Sequence, residues 1–158
     1  MRFLAFLLGM LALAPVAPAA DAEPHARVEF LNSGKVMPAS LPFSEAVRVD
    51  DSLYLSGQIG IEPGTMKLVP GGLEAETRQT LDNIRTTLEA HGFAMGDLVK
   101  CTVMLADMSG WNSFNAIYRG YFSGGRYPAR SALGTSGLAL GAQVELECMA
   151  VAGAGGPR

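Results

Sequence analysis

Val144-Glu145-Leu146-Glu147-Cys148-Met149-Ala150-Val151 is the stretch on which the fold turns. Side chains alternate across a strand, so Val144, Leu146, Cys148 and Ala150 share one face and Glu145, Glu147, Met149 and Val151 the other. The first set is wholly apolar and needs a covering layer. The second mixes two carboxylates with two large apolar side chains, which suits neither a plain solvated face nor a plain core. Such a strand belongs in a sheet covered by helices on one side and by something else on the other.

Two upstream segments can supply the helices. From Glu74 to Ala90, Thr77, Leu81, Ile84 and Leu88 recur at helical spacing. Glu74 and Glu76 favour the positive end of that helix, and Gly92 supplies a stop. Ser109 is positioned to cap a second helix running to Phe122, with Trp111, Phe114, Tyr118 and Tyr121 on its apolar face and Gly124-Gly125 ending it. Between the helices, Leu98 to Met104 reads as a strand, with Val99, Cys101, Val103 and Leu105 on one side by parity.

Nearer the N-terminus, Val28 to Leu31 suits a short edge strand and Asn32 to Pro42 a loop. Ala46-Val47-Arg48-Val49 and Leu53-Tyr54-Leu55 flank Asp50-Asp51-Ser52 as a hairpin. Gly57-Gln58-Ile59-Gly60 continues the second strand with so little bulk that another group is expected against the backbone. Beyond the second helix, Tyr127-Pro128 leads into a strand near Ser131 to Leu133, followed by a glycine-rich turn region from Gly134 to Gly141. The order of elements predicts an α+β domain, a single mixed sheet with two helices on one face. Met104, Met149 and Val151 on the helix-free face predict association into an oligomer.

The chain has 158 residues, enough for one domain, and its 17% of charged residues lies below a soluble average of roughly 25%. Arg2, the apolar run Phe3 to Ala14, Pro15 and Ala17-Pro18-Ala19 read as a cleaved export signal over residues 1–20, leaving a domain over 21–158 in the periplasm or outside the cell. The apolar run is shorter than the roughly 20 residues a membrane-spanning helix needs, so no membrane association is expected after cleavage. Without Arg2, the 12 Lys and Arg fall to 11 against 15 Asp and Glu, and the basic residues are scattered. That distribution makes nucleic acid a poor partner. Cys101 and Cys148 form no metal or redox motif. An exported protein could pair them, but their apolar surroundings favour buried free thiols.

Familiar catalytic signatures are absent: there is no Gly-x-Ser-x-Gly, P-loop or His-Glu-x-x-His. His91 reads as a helix-terminal residue compensating the dipole and His25 as part of a flexible start, so neither is expected to bind metal or act as a base. What remains is Arg130, after Tyr127-Pro128-Ala129, and the pair Glu145 and Glu147. A guanidinium can grip a carboxylate through two parallel hydrogen bonds, or can serve in an ordinary strand ion pair. The two glutamates could line a wet cleft at a subunit boundary, or a solvated strand edge.

Six segments carry a family resemblance in order and spacing: Pro42-Phe43-Ser44-Glu45-Ala46, Leu55-Ser56-Gly57-Gln58-Ile59, Thr80-Leu81-Asp82-Asn83-Ile84, Asn115-Ala116-Ile117-Tyr118, Tyr127-Pro128-Ala129-Arg130-Ser131 and Val144-Glu145-Leu146-Glu147. Together they resemble the RidA/YjgF reactive-intermediate deaminases. The resemblance implies a chorismate-mutase-like fold and a homotrimer whose sheets form an inner barrel, with sites in clefts between subunits. It also implies that Arg130 holds a substrate carboxylate, that Glu145 handles the catalytic water, and that Phe43, Ser56, Gly57, Asn115 and Ala132 line the cleft. Phe43 stands where many members have tyrosine, and Ala132 where many have cysteine. The implied activity is hydrolysis of reactive imines such as 2-iminopropionate to 2-oxo acids and ammonia, with no metal or organic cofactor. Two other functions stay open: a non-catalytic binding protein for small carboxylates, and an endoribonuclease, against which the acidic balance argues.

Overall fold

A computed structural model describes residues 25–156, so the export-signal reading lies outside the described residues. Among the described residues the strands are β1 (Val28–Leu31), β2 (Ala46–Val49), β3 (Ser52–Leu55), β4 (Gln58–Ile59), β5 (Leu98–Leu105), β6 (Ala129–Gly134) and β7 (Val144–Val151). The helices are α1 (Gly72–Ala90) and α2 (Trp111–Arg119). The strands lie in the order β1-β2-β3-β7-β5-β6, with β4 also paired to β7. Only β5 and β6 run parallel; the other pairs are antiparallel, so the sheet is mixed as expected.

β7 sits inside the sheet and behaves as its alternation predicts. Val144, Leu146, Cys148 and Ala150 are buried. They join Leu81, Ile84 and Leu88 of α1 and Phe114, Ile117 and Tyr118 of α2 in one core. Burying each leucine- or phenylalanine-sized side chain contributes about 1.5–3 kcal/mol, so these few contacts dominate the docking of both helices.

Cys101 and Cys148 correct the expectation of free thiols. They are directly opposed across β5 and β7 and form a disulfide with an S–S distance of 2.08 Å. Sequence places each cysteine on an apolar face; only the strand register puts them side by side. Register also corrects the stripe read along β5. A shift between Leu98 and Lys100 lets Leu98 take the buried place expected for Val99. The second helix differs too. Ser109 does not cap it: Asp107 caps a preceding turn, its Oδ1 accepting the Ser109 N–H at 2.8 Å, and α2 itself starts after Gly110 with no side-chain cap. A 3₁₀ turn over Met108–Gly110 precedes α2, which ends at Arg119 rather than Phe122.

The segment after β3 does not simply continue that strand. Tyr54 pairs with Met149 and Gln58 with Leu146, so four residues on one side span three on the other. The extra residue falls at Ser56-Gly57 and makes a bulge, a device that re-aims a strand beside a site. α1 then holds both chain segments that flank this point. The Asn83 amide donates to the carbonyls of Ile59 and Ile61 at 3.0 and 2.9 Å. Glu76, expected to serve the helix dipole, is buried and accepts the Gln143 N–H at 2.7 Å.

The helix-free face is an apolar band. Pairing aligns Phe30 with Val47, Val47 with Tyr54, and Tyr54 with Met149. A second row aligns Val28, Val49, Ser52 and Val151. Phe30 is 73% exposed, so this band is uncovered within one chain.

Candidate functional site

Arg130 lies on β6 opposite Cys101 of β5, whose partner on β7 is Cys148. Residues paired in register share a face, so Arg130 projects on the helix side. Glu145 pairs with Met104 and belongs to the other face. The two expected chemical residues therefore stand on opposite faces of one sheet, two strands apart.

α2 builds the surroundings of Arg130. Trp111, Asn115 and Tyr118 fall on one stripe of that helix. Arg130 Cζ lies 4.6 Å from the Trp111 ring centroid and 4.5 Å from that of Tyr118. Its Nη2 donates to Asn115 Oδ1 at 2.6 Å. Nη1 and the Tyr118 hydroxyl are buried and have no hydrogen-bond partner among the described residues. Burial draws the guanidinium's pKa down, and Arg119 adds to this while Tyr118 opposes it. Burial pushes the Tyr118 phenol up to about 12, with Arg130 opposing. A cavity of about 350 Å³ opens here, bounded also by Arg119, Tyr127 and Pro128. Two guanidiniums and no carboxylate line it, which suits an anionic ligand.

Glu145 occupies a different cavity, of about 370 Å³, with Phe43, Ser56 and Gly57. A Cβ on Gly57 would collide with Glu145 Oε1, so the carboxylate is the group that the glycine admits to the backbone. Ser56 Oγ donates to the Ser44 carbonyl at 2.7 Å, which uses its proton and leaves the oxygen able only to accept. No described side chain hydrogen-bonds the Glu145 carboxylate. Burial raises its pKa, and the charge of Glu147 raises it further. A partly buried, unpartnered carboxylate of raised pKa is suited to take a proton from water.

The family profile described as Endoribonuclease L-PSP matches residues 34–152. A 2-iminobutanoate/2-iminopropanoate deaminase of Mus musculus is 44% identical over 117 residues, which are 73% of this chain and 86% of that protein. The chain belongs to the RidA/YjgF family. The deaminase of the same name from Bos taurus is 40% identical over 79% of this chain and 90% of its own. The Rid-family protein YyfA from Yersinia pestis superposes with a TM-score of 0.75 at 36% identity, covering 79% of this chain and 99% of the other.

The site residues expected from the RidA resemblance divide between the two cavities. Arg130 and Asn115 lie in one, with Asn115 orienting the guanidinium; Phe43, Ser56, Gly57 and Glu145 lie in the other. Ala132 is exposed on β6 and lines neither. Trp111 and Tyr118 read from sequence as core residues of a helix, and their stacking on Arg130 carries no local sequence signal. His91 stands at the C-cap of α1, the helix end expected of it, and in addition reaches Glu45. Its ring is buried, with Nε2 3.3 Å from Glu45 Oε2. Among the described residues no group of three or more His, Cys, Asp or Glu side chains could hold a metal ion.

Proposed function

We propose that this protein hydrolyses 2-imino acids to 2-oxo acids and ammonia, using composite sites between the subunits of a homotrimer outside the cytoplasm. The observation that carries this is the placement of Arg130 and Glu145 on opposite sheet faces. One chain cannot bring them to a single substrate, whereas a second copy apposed to the first can. The uncovered apolar band on the helix-free face supports such apposition. The names of the deaminase relatives supply the reaction class.

Arg130 binds the substrate carboxylate and so fixes the neighbouring C=N carbon. Glu145 removes a proton from water as the oxygen bonds to that carbon and the C=N electron pair moves to nitrogen. The proton passes to nitrogen, giving a tetrahedral aminol. Transfer of the hydroxyl proton to nitrogen breaks the C–N bond, releasing ammonia and the 2-oxo acid. No step requires a metal or organic cofactor. RNA is disfavoured as a substrate by the excess of acidic over basic residues. The paired Cys101 and Cys148 support an oxidising compartment, in keeping with the export signal read over residues 1–20.

The test is ammonia release from freshly generated 2-iminopropanoate, followed by subunit mixing. Arg130→Ala and Glu145→Gln proteins should each retain only a few per cent of the activity or less when assembled alone, at about 30-fold loss or more. Unfolded together and reassembled as trimers, they should regain activity at roughly a quarter of the sites, where each chain contributes its intact residue. Failure of the mixture to recover, with both variants trimeric, would remove the composite site; a stable monomer in light scattering would remove the trimer.

A further inference from the structure

Leu140 has φ 58° and ψ 10°, in the left-handed region, between Ala139 and Gly141. There the Cβ of a bulky residue crowds its own backbone, whereas glycine adopts the conformation freely. Burial in this chain does not offset that strain, because Leu140 remains 54% exposed. Its side chain lines the Glu145 cavity. Strained residues that persist without a packing reason concentrate at ligand clamps.

The rest of that cavity points the same way. Phe43 and Met66 are exposed and line it with Leu140, so three of the nine exposed large hydrophobics among the described residues gather at one opening. Met37, Ile59 and Ile61 add apolar wall. Beyond Glu145 and the already engaged Ser56 hydroxyl, the lining offers no polar side chain. A polar substituent would lose water there with only the Ser56 lone pairs and the Glu145 carboxylate as partners, while an apolar one would be stabilised by burial against the rest of the wall. The volume of about 370 Å³ also exceeds what a methyl group occupies, lying within the roughly 300–1,000 Å³ typical of small-molecule sites.

We infer that Leu140, with Phe43 and Met66, forms a side-chain subsite that makes 2-imino acids with long apolar side chains the preferred substrates. This rests on the imine-hydrolase function proposed above. Imines freshly generated from leucine and from alanine provide the test, on the wild type, Leu140→Gly and Leu140→Asn. Both replacements tolerate the left-handed backbone, and Leu140→Gly should unfold no earlier than the wild type. The wild type should favour the leucine-derived imine by about tenfold or more in kcat/KM, and both variants should lower that ratio about tenfold. A wild type that hydrolyses both imines but favours the alanine-derived one, or variants that keep the wild-type ratio, would overturn the subsite and leave imine hydrolysis standing. Hydrolysis of neither imine by the wild type would overturn the function itself, and the subsite with it.

Discussion

The Arg130 and Glu145 cavities are nearly equal in volume, about 350 and 370 Å³, but they are built in opposite ways. One helix organises the first: Trp111, Asn115 and Tyr118 of α2 hold the guanidinium by stacking and by one hydrogen bond. Separate loops and strands gather the second, and among the described residues nothing hydrogen-bonds its carboxylate. The difference follows from what each group must do. A cation that grips a ligand gains from being fixed in advance. A base loses strength with every donor that satisfies it. Glu45 in the same chain is the counterexample. Burial would raise its pKa, but hydrogen bonds from Ser33, His91 and Thr87 outweigh that and hold it below the ordinary value.

Removing the base should have the largest effect. Glu145→Gln should lower kcat/KM by about 10²- to 10⁴-fold, the usual contribution of general acid–base catalysis. In the wild type the active form is the ionised carboxylate, whose pKa is raised from 4.5. Activity should therefore fall as pH drops through a value above 4.5. The sign for stability is opposite to that for activity. A raised folded pKa means the folded state binds the extra proton, so this group's contribution is favourable at low pH and is lost as pH rises. Glu145→Gln should accordingly be no less stable than the wild type at neutral pH, by urea unfolding. Lost activity accompanied by lost stability would make Glu145 a structural residue.

Arg130 comes next. Arg130→Ala should cost about 2–4 kcal/mol of transition-state binding, or roughly 30- to 1000-fold in kcat/KM. Arg130→Lys should recover little, because an ammonium lacks both the fork and the flat face that stacks on Trp111 and Tyr118. Activity and oligomeric state measured on the same samples separate the two meanings of this residue. Near-normal specific activity in a dissociated protein would mark Arg130 as part of an interface rather than a clamp.

The disulfide tests whether the two cavities depend on one scaffold. Cys101 neighbours Arg130 in register, and Cys148 lies on the strand that carries Glu145. The bond closes a span of 47 residues, and replacing both cysteines by alanine should cost about 2–4 kcal/mol of stability. Urea unfolding would measure this. At temperatures where the variant is folded, kcat/KM should stay near wild type, since the cysteines reach neither cavity. A large loss of activity in the folded variant would show that the bond positions the site.

Sequence made some of this arrangement legible and hid the rest for definite reasons. The alternation in Val144 to Val151 foretold both faces of the sheet, and the Thr77-Leu81-Ile84-Leu88 stripe foretold the docking of α1. Gly57 announced a close approach, though not that Glu145 makes it. Local pattern carries no information on strand register, so the Cys101–Cys148 bond and the placing of Arg130 and Glu145 on opposite faces stayed hidden. Trp111 and Tyr118 look like ordinary core residues because stacking on an arginine uses the same helical stripe as packing. The Glu45–His91 contact joins residues 46 apart in the chain, beyond any periodicity that could reveal it.

That contact gives the smallest and most selective prediction. Glu45 accepts hydrogen bonds from the Ser33 N–H at 2.7 Å, the Ser33 hydroxyl at 3.0 Å and the Thr87 hydroxyl at 3.1 Å, with His91 Nε2 at 3.3 Å. Its own carbonyl accepts the Ser56 N–H at 3.1 Å, so the cluster steadies the floor of the Glu145 cavity. A depressed carboxylate pKa contributes stability that is present above the unfolded value and is lost as pH falls through the folded one. Glu45→Gln should cost about 1–3 kcal/mol at neutral pH, where the ionised acceptor is missed. It should also flatten the loss of stability on acidification below about pH 4. The Arg130 cavity should not respond. Trp111 is the chain's single tryptophan and stacks on Arg130 and Phe114, so its emission reports on the α2 side of the molecule. Unchanged emission beside a reduced rate would confine the damage to the Glu145 side; a shifted emission in the folded variant would mean that the two cavities are mechanically coupled through the sheet.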